Sequence, residues 1–416
     1  DYPTILFLDP SLLQHGQIET TRAALSIPPH IQNLLGDFDE IHLTADRFFN
    51  HIHQWMPFIS KKRFYDLHLR PSYHSQPDVV LLLLALKLIT SFPPTGGTPR
   101  TALYNAVKHF YVEVENSTVF SILVLQAGVL VALYELGHGI YPAAFLSIGG
   151  CARYAHALGI NVNRVPVRKA VTLVEVEERR RIWWAIVILD RFVSIGCPGR
   201  PLATVDPRLD DLLPADDTAW DQGVVRPDEL STLSSPMSGH MSKFALLCQA
   251  ARLLGQVLHH LSNDSTDDVW MQLDRTLQSM LTAALDIDCP DYDQITFIYS
   301  SLVALYTLWL FPNRDPRFER HRDRAHRAKA ILQQITDRIN ANLVERQCFL
   351  GRDPEDMSPW GLYFAYRVCG AHMRSTKRNP HATEVVRSLR EGLQTIDVRW
   401  RVAGVYLQLL EAQEAL

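Results

Sequence analysis

Two long apolar runs limit what this chain can fold into. They cover residues 79–89 and 119–134, and Lys87, Gln126 and Gly128 interrupt them. Both runs fall short of the roughly 20 continuous apolar residues that a membrane-spanning helix requires. We therefore expect them to be helices buried inside a large helical domain.

Strand signals are scarce in the rest of the chain. Few segments alternate apolar and polar residues, and no Asn-Gly or Asp-Gly turn joins β-branched runs. Helical spacing recurs instead, with clear stops such as Pro93-Pro94 and Gly96-Gly97. The sequence predicts an all-α fold, a large irregular helical bundle of about a dozen helices without significant sheet.

The helical pattern divides the chain into four predicted segments. Six prolines interrupt the region from Pro198 to Gly239, which predicts a long irregular connection. Helical spacing resumes at Met241, and the last predicted helix covers residues 382–410. The segments are an N-terminal helical part at 1–115, a central core at 116–215, an irregular linker at 216–240 and a C-terminal helical part at 241–416.

Charge and cysteine content restrict the partners that this chain can bind. Lys plus Arg number 41 and Asp plus Glu 45, a net charge of −4, so the chain has no overall attraction to DNA or anionic membrane. The six cysteines form no CxxC pair, which argues against a structural zinc site built on such pairs. Scattered cysteines and an opening DYPTILFLDP without a basic region favour a reducing, intracellular compartment.

Several motifs could carry chemistry, but each has a plainer interpretation. Gly137-His138-Gly139 lacks the third glycine of a dinucleotide site, and Ser147 lacks the first glycine of a nucleophile elbow. His51 and His53 have no third metal ligand at a telling spacing, so we expect ordinary polar histidines. The acids at 216–221 resemble a magnesium motif without its downstream partner, and the basic run at 314–329 is interleaved with acids. We expect both to be solvated.

The strongest predicted helix covers residues 175–194. Glu175, Glu177 and Glu178 lie in its first turn, where the helix dipole favours negative charge. Glu175 with Arg179 and Glu177 with Arg181 form i,i+4 pairs in the favourable order. This helix begins as a charged surface and continues as a core.

The second half of this helix, residues 182–189, is wholly apolar and ends at Asp190-Arg191. A carboxylate at this position is either buried and paired or solvated at a helix end. For the buried case, we predict that Arg200 is the partner of Asp190, or failing it Arg180 or Arg181.

These motifs, taken together, resemble the signature of the fungal-specific transcription factor domain, the regulatory middle region of zinc binuclear cluster transcription factors. A helix like residues 147–160 comes first in that family, followed by EERRRIWW, LDR, a GRP turn and an LP pair. Here these are residues 177–184, 189–191, 199–201 and 213–214. The resemblance covers about residues 117–215. Its signature residues are Arg180, Arg181, Trp184, Asp190, Arg191, Gly199, Arg200 and Pro201.

The resemblance implies a nuclear regulatory and dimerisation domain that responds to a small molecule or a coregulator protein. It implies no cofactor in this chain, since zinc belongs to an upstream DNA-binding cluster that the sequence does not contain. DNA would be bound only through that missing domain. The alternative is a cluster-less member of the fold, an enzyme or small-molecule binding protein in the nucleus or cytoplasm. In that case we expect a pocket around Trp183, Trp184 and Phe192, and we assign no catalytic residue.

Overall fold

The computed structural model describes residues 2–9, 11, 25–162, 172–237, 241–263, 266–287, 290–311, 322–344, 353–374 and 380–415. Within these residues the chain forms eighteen α-helices and no sheet, and its β-type pairing is a single bridge between Leu212 and Thr232. The predicted all-α class is confirmed. None of the described helices is long and apolar enough to cross a bilayer.

The chain forms two compact units. The first comprises Asp1–Leu136, Ile140–Asp190 and Ala203–Ser235, and the second comprises Gly137–Gly139, Arg191–Leu202 and Pro236–Leu416. The helices α1 to α10 are Tyr2–Leu8, Pro29–Leu35, Phe38–Arg47, Lys61–Arg63, Pro77–Thr90, Ala102–Glu115, Ile122–Gly137, Ala143–Ala157, Leu173–Val193 and Asp217–Asp221. The helices α11 to α18 are Lys243–Ser262, Asp267–Leu285, Tyr292–Leu305, Thr307–Leu310, Arg322–Val344, Leu362–Met373, Pro380–Ile396 and Val402–Glu414.

The two apolar runs form the centre of the first unit. They become α5 and most of α7, and almost every side chain of both is buried. Pro77 starts α5 at a position where the missing N–H costs nothing, and the helix ends before Pro93-Pro94. Gly159 adopts a φ of 76° just after α8, a conformation that glycine adopts readily. The expectation of buried helices is correct.

Aromatic side chains build the core of the second unit. Phe192, Phe297 and Trp360 pack edge to face or tilted, with ring centroids 4.9–5.8 Å apart. These separations lie within the preferred range for aromatic pairs. Arg191 is also buried here and passes over α11 at Gly255, where an added Cβ would lie 2.9 Å from its Nε.

The final predicted helix, at 382–410, is wrong in one respect. The structure contains two helices, α17 and α18, separated by residues 397–401. Trp400 is fully buried in this turn and its indole N–H donates to the carbonyl of Met357 over 2.7 Å. The Asp397 carboxylate accepts the N–H of Gly404 near the start of α18. Burial of one tryptophan thus breaks a helix that the local sequence would continue.

The proline-rich connection, which the structure describes over residues 198–237, contains the short helix α10, and part of it is ordered by backbone pairing. The N–H of Leu213 donates to Ser231, that of Leu233 to Asp211, and that of Ser234 to Leu209, over 2.8–3.0 Å. These bonds hold residues 209–213 in place. This segment forms one wall of the site described next.

Candidate functional site on helix α9

Helix α9 contains or directly precedes the signature residues. Arg181, Trp184, Asp190 and Arg191 are buried and Arg180 is half-buried, whereas the turn of Gly199, Arg200 and Pro201 is exposed. Arg180 and Arg181 come together around one carboxylate in the first unit. Asp190 lies further along the same helix with different partners.

A reciprocal cap starts α9. The Thr172 hydroxyl accepts the N–H of Glu175, and the Glu175 carboxylate accepts the N–H of Thr172 over 2.9 Å. This is the capping-box arrangement. Burial alone would raise the pKa of Glu175, but the Thr172 N–H and the charge of Arg63 bring it below its ordinary value. Arg179, the partner predicted for Glu175, donates to the carbonyl of Leu158 over 3.1 Å and also helps to lower this pKa.

The predicted pair of Glu177 and Arg181 is present but is not a surface pair. Both side chains are fully buried, with 2.8 Å between Arg181 Nε and Glu177 Oε1. Glu177 also accepts from Arg180 and from the backbone N–H of Ala215 over 2.7 Å. Burying a carboxylate is costly unless such donors surround it. Glu177 therefore holds the proline-rich segment at Ala215 against the start of α9.

Glu178 plays the corresponding role toward the N-terminal part of the chain. Its carboxylate accepts the N–H of Ser60 over 2.8 Å, the Gln126 amide over 2.9 Å and the Arg63 guanidinium. Sequence reasoning missed this site because the partners lie more than 50 residues away. The one local signal was a third acid next to an apolar run.

Of the acids at 216–221, which we expected to be solvated, Asp216 is exposed as expected, whereas the side chains of Asp217 and Asp221 are 28% and 31% exposed and contact buried residues. The partner of Asp217 is Arg181. Its guanidinium contacts the Asp217 carboxylate over 2.7 Å and lies 4.1 Å from the centroid of the Trp220 indole. Asp216 caps α10 by accepting the N–H of Ala219, and Asp221 lies 2.7 Å from Nε2 of His53. Each acid has a structural partner because α10 packs its tryptophan into the core.

The Asp190 carboxylate is 2% exposed, which settles its open interpretation in favour of burial. It accepts the N–H groups of Ala203 and Thr204 over 3.1 and 2.9 Å and the Thr204 hydroxyl over 2.7 Å. Arg181 cannot be its partner, because nine residues of helix separate them by about 14 Å. Pairing with Arg200 stays a prediction.

An open cleft of about 420 Å³ lies beside α9 within the first unit. Trp183 and Trp184 line it, together with Arg179 and Arg180. The opposite wall is the segment 210–212, which the Trp184 indole N–H fixes by donating to the carbonyl of Leu212 over 3.0 Å. The pocket expected around the tryptophans is thus present there, while Phe192 belongs to the core of the second unit.

The remaining sequence motifs have structural partners where they are described. The Lys108 ammonium donates to the Ser147 hydroxyl and to Glu135, over 2.6 Å in each case. Among the described residues, no three His, Cys, Asp or Glu side chains are grouped as metal ligands would be.

The basic run at 314–329 lies partly outside the described residues. In its described part, Arg324 contacts Asp267 and stacks over Trp270, and Arg327 contacts Asp274. Arg324 is mostly buried, so the expectation that this part is solvated is wrong at that residue.

Comparison with known proteins links these features to transcription. The sequence model of the family described as "Fungal specific transcription factor domain" matches residues 45–286. Transcription factor BOA15 of Botryotinia fuckeliana is 34% identical over 150 residues, which are 36% of this chain and 84% of that protein. The pigment biosynthesis transcriptional activator pigB of Monascus ruber is 21% identical over 407 residues, covering 88% of this chain and 71% of that protein. No solved structure matches the chain.

Proposed function

Since this chain belongs to the family of fungal-specific transcription factor domains and is a transcriptional regulator, we propose that it forms the regulatory and dimerisation region of a nuclear transcription factor. The match over residues 45–286 carries this proposal. The net charge of −4 supports it as well, because a chain without a basic excess is suited to regulation and not to direct contact with DNA phosphates.

Sequence-specific DNA binding then belongs to a zinc cluster elsewhere in the protein. The six cysteines of this chain are scattered without a CxxC pair, and the described residues contain no group of three His, Cys, Asp or Glu side chains placed as metal ligands would be. This chain alone should therefore bind duplex DNA weakly at physiological salt. Tight binding that weakens steeply with salt would contradict this assignment and would point to residues 314–329.

The regulatory role is tested by fusing the chain to a heterologous DNA-binding domain in a fungal reporter strain. We expect reporter transcription to differ from that given by the DNA-binding domain alone. Glu177→Gln and Glu229→Gln form a matched pair, because the first acid is buried in the α9 network and the second is exposed. If the reporter output depends on the folded domain, Glu177→Gln should change it and Glu229→Gln should not. Output unaffected by the fusion in several promoter contexts would refute the proposal.

Dimerisation and nuclear location are tested separately. Sedimentation equilibrium should give twice the chain mass of 47.3 kDa if the domain forms a homodimer. A fluorescent fusion of the full-length protein should accumulate in the nucleus. A monomer at micromolar concentration or a cytoplasmic fusion would remove the corresponding part of the proposal.

A further inference from the structure

The cleft beside α9 combines side chains that small-molecule sites use. Two indoles, Trp183 and Trp184, lie on one helix, and two guanidiniums, Arg179 and Arg180, lie next to them. Its volume of about 420 Å³ falls within the usual range for ligand pockets. All the residues that line the cleft belong to the first unit.

We propose that this cleft binds a hydroxylated aromatic carboxylic acid and that occupancy changes the regulatory output of the domain. This inference rests on the proposed function, in which the domain responds to a small molecule. Val176 is 41% exposed and offers apolar area for an aromatic ring, and the indoles of Trp183 and Trp184, which are 8% and 2% exposed, line the cleft beside it. Each guanidinium carries five N–H donors in a planar fork, so it can donate to a bound carboxylate in addition to its bonds within the protein.

The opposite wall of the cleft is the reason for proposing a hydroxyl group on the ligand. Asp210 and Asp211 lie there as hydrogen-bond acceptors, held by Arg208 through its guanidinium and its backbone N–H respectively. An ionised carboxylate has about four acceptor sites, so both acids can still accept from a ligand hydroxyl. A ligand with one acidic and one donor end would match the two charged walls.

The cleft shares a residue with the buried network, so a bound ligand can affect the rest of the first unit. Arg180 lines the cleft and also donates to Glu177. Glu177 in turn holds Arg181 and the N–H of Ala215. A ligand carboxylate that binds the remaining N–H donors of Arg180 draws this guanidinium out of its present position against Glu177. Occupancy therefore changes the bonds that attach the proline-rich connection to α9.

Binding is tested on the purified 416-residue chain with three probes by saturation-transfer NMR and titration. We expect 4-hydroxybenzoate to bind, and phenol (no anion) and acetate (no ring) to bind at least about tenfold more weakly. No saturation transfer from 4-hydroxybenzoate at millimolar concentration would overturn the proposal.

Two exposed positions on α9 provide a matched pair of variants. Val176 lies in the cleft wall and is 41% exposed, whereas Leu173 lies one turn earlier, outside the lining, and is 53% exposed. Val176→Trp should fill the cleft and abolish 4-hydroxybenzoate binding, while Leu173→Trp should bind like the wild type. Arg179→Ala should raise the Kd by about tenfold. Circular dichroism confirms that each variant is folded, and unchanged binding by Val176→Trp would refute the site.

The reporter fusion separates failure of this inference from failure of the proposed function. We expect 4-hydroxybenzoate to change the output of the wild-type fusion and not that of Val176→Trp. If the probe binds in vitro but the output of an active fusion does not change, the regulatory role of the cleft is wrong. If the fusion never affects transcription although binding follows the variants as expected, the proposed function fails and the binding site remains.

Discussion

Replacing Glu177 with glutamine tests whether the buried α9 network stabilises the first unit. The carboxylate accepts from Arg181 at 2.8 Å, from Ala215 at 2.7 Å and from Arg180. Glutamine keeps the shape but turns one oxygen into a donor that faces other donors. Removing one partner of a buried ion pair typically costs about 3–5 kcal/mol. Because Arg181 keeps the partly exposed Asp217, we expect a loss of about 2–4 kcal/mol in unfolding free energy.

The assay is urea unfolding followed by far-UV circular dichroism. Hydrogen exchange of the α9 amides is measured in parallel, because a chain of two units need not unfold in one step. Glu229→Gln is the matched control in the same unit, since its ion pair with Arg226 is exposed, and its transition midpoint should equal that of the wild type. A Glu177→Gln variant within about 0.5 kcal/mol of the wild type would show that the network does not stabilise the unit.

Further substitutions test other parts of the structure. Gly137→Ala should cost about 1–3 kcal/mol in thermal denaturation, because the new Cβ would lie 2.2 Å from buried Trp400. Gly149→Ala, which meets no neighbouring atom, should add about 0.5–1 kcal/mol instead. Burial and the charge of Asp293 raise the pKa of Asp291 from 3.8 to about 7, so this carboxyl lowers stability as pH rises through that interval. Asp291→Asn should therefore stabilise the chain more at pH 8 than at pH 4, and an equal effect at both would refute the shift. Asp190→Ala should cost about 2–4 kcal/mol, because the buried donors of Ala203 and Thr204 lose their acceptor. Arg200 is exposed, so Arg200→Ala should cost less, and a double variant whose loss equals the sum of the two would exclude their pairing.

Local patterns were sufficient to predict most helices but not the break between α17 and α18. Apolar runs bounded by proline and glycine mark α5 and α7, since both the burial and the stops are properties of neighbouring residues. The turn at 397–401 contains neither proline nor glycine. It exists because Trp400 enters the core at Met357, a contact across more than 40 residues that no local pattern encodes.

The same distinction applies to the candidate site. The i,i+4 spacing of Glu177 and Arg181 predicted their pairing, yet the spacing does not reveal that both are fully buried. Their burial depends on Asp217, Trp220 and the carbonyl of Pro57, which the fold brings from distant parts of the chain. Glu178 was missed for the same reason. Charged residues beside an apolar run predict a helix end, whereas only the tertiary structure shows which of them are enclosed.

The order of the signature motifs has a physical reason in the first unit. Near its C-terminal end, α9 holds Ala203 and Thr204 through Asp190. In the middle, Trp184 holds Leu212, and near the start Glu177 holds Ala215.

The segment 203–215 thus runs back along α9, antiparallel to it, and is held at both ends by a buried carboxylate. The two acids are 13 residues apart, about 20 Å of helix, and an extended chain of 12 residues spans that length easily. As the chain returns from the end of α9 to its start, successive loop residues meet Asp190, then Trp184, then Glu177. The GRP turn therefore has to come before the LP pair in the sequence, and both have to follow the acids of α9. The cleft lies where this returning segment passes the two tryptophans. A bound molecule would therefore contact both α9 and the segment that the carboxylates of α9 hold.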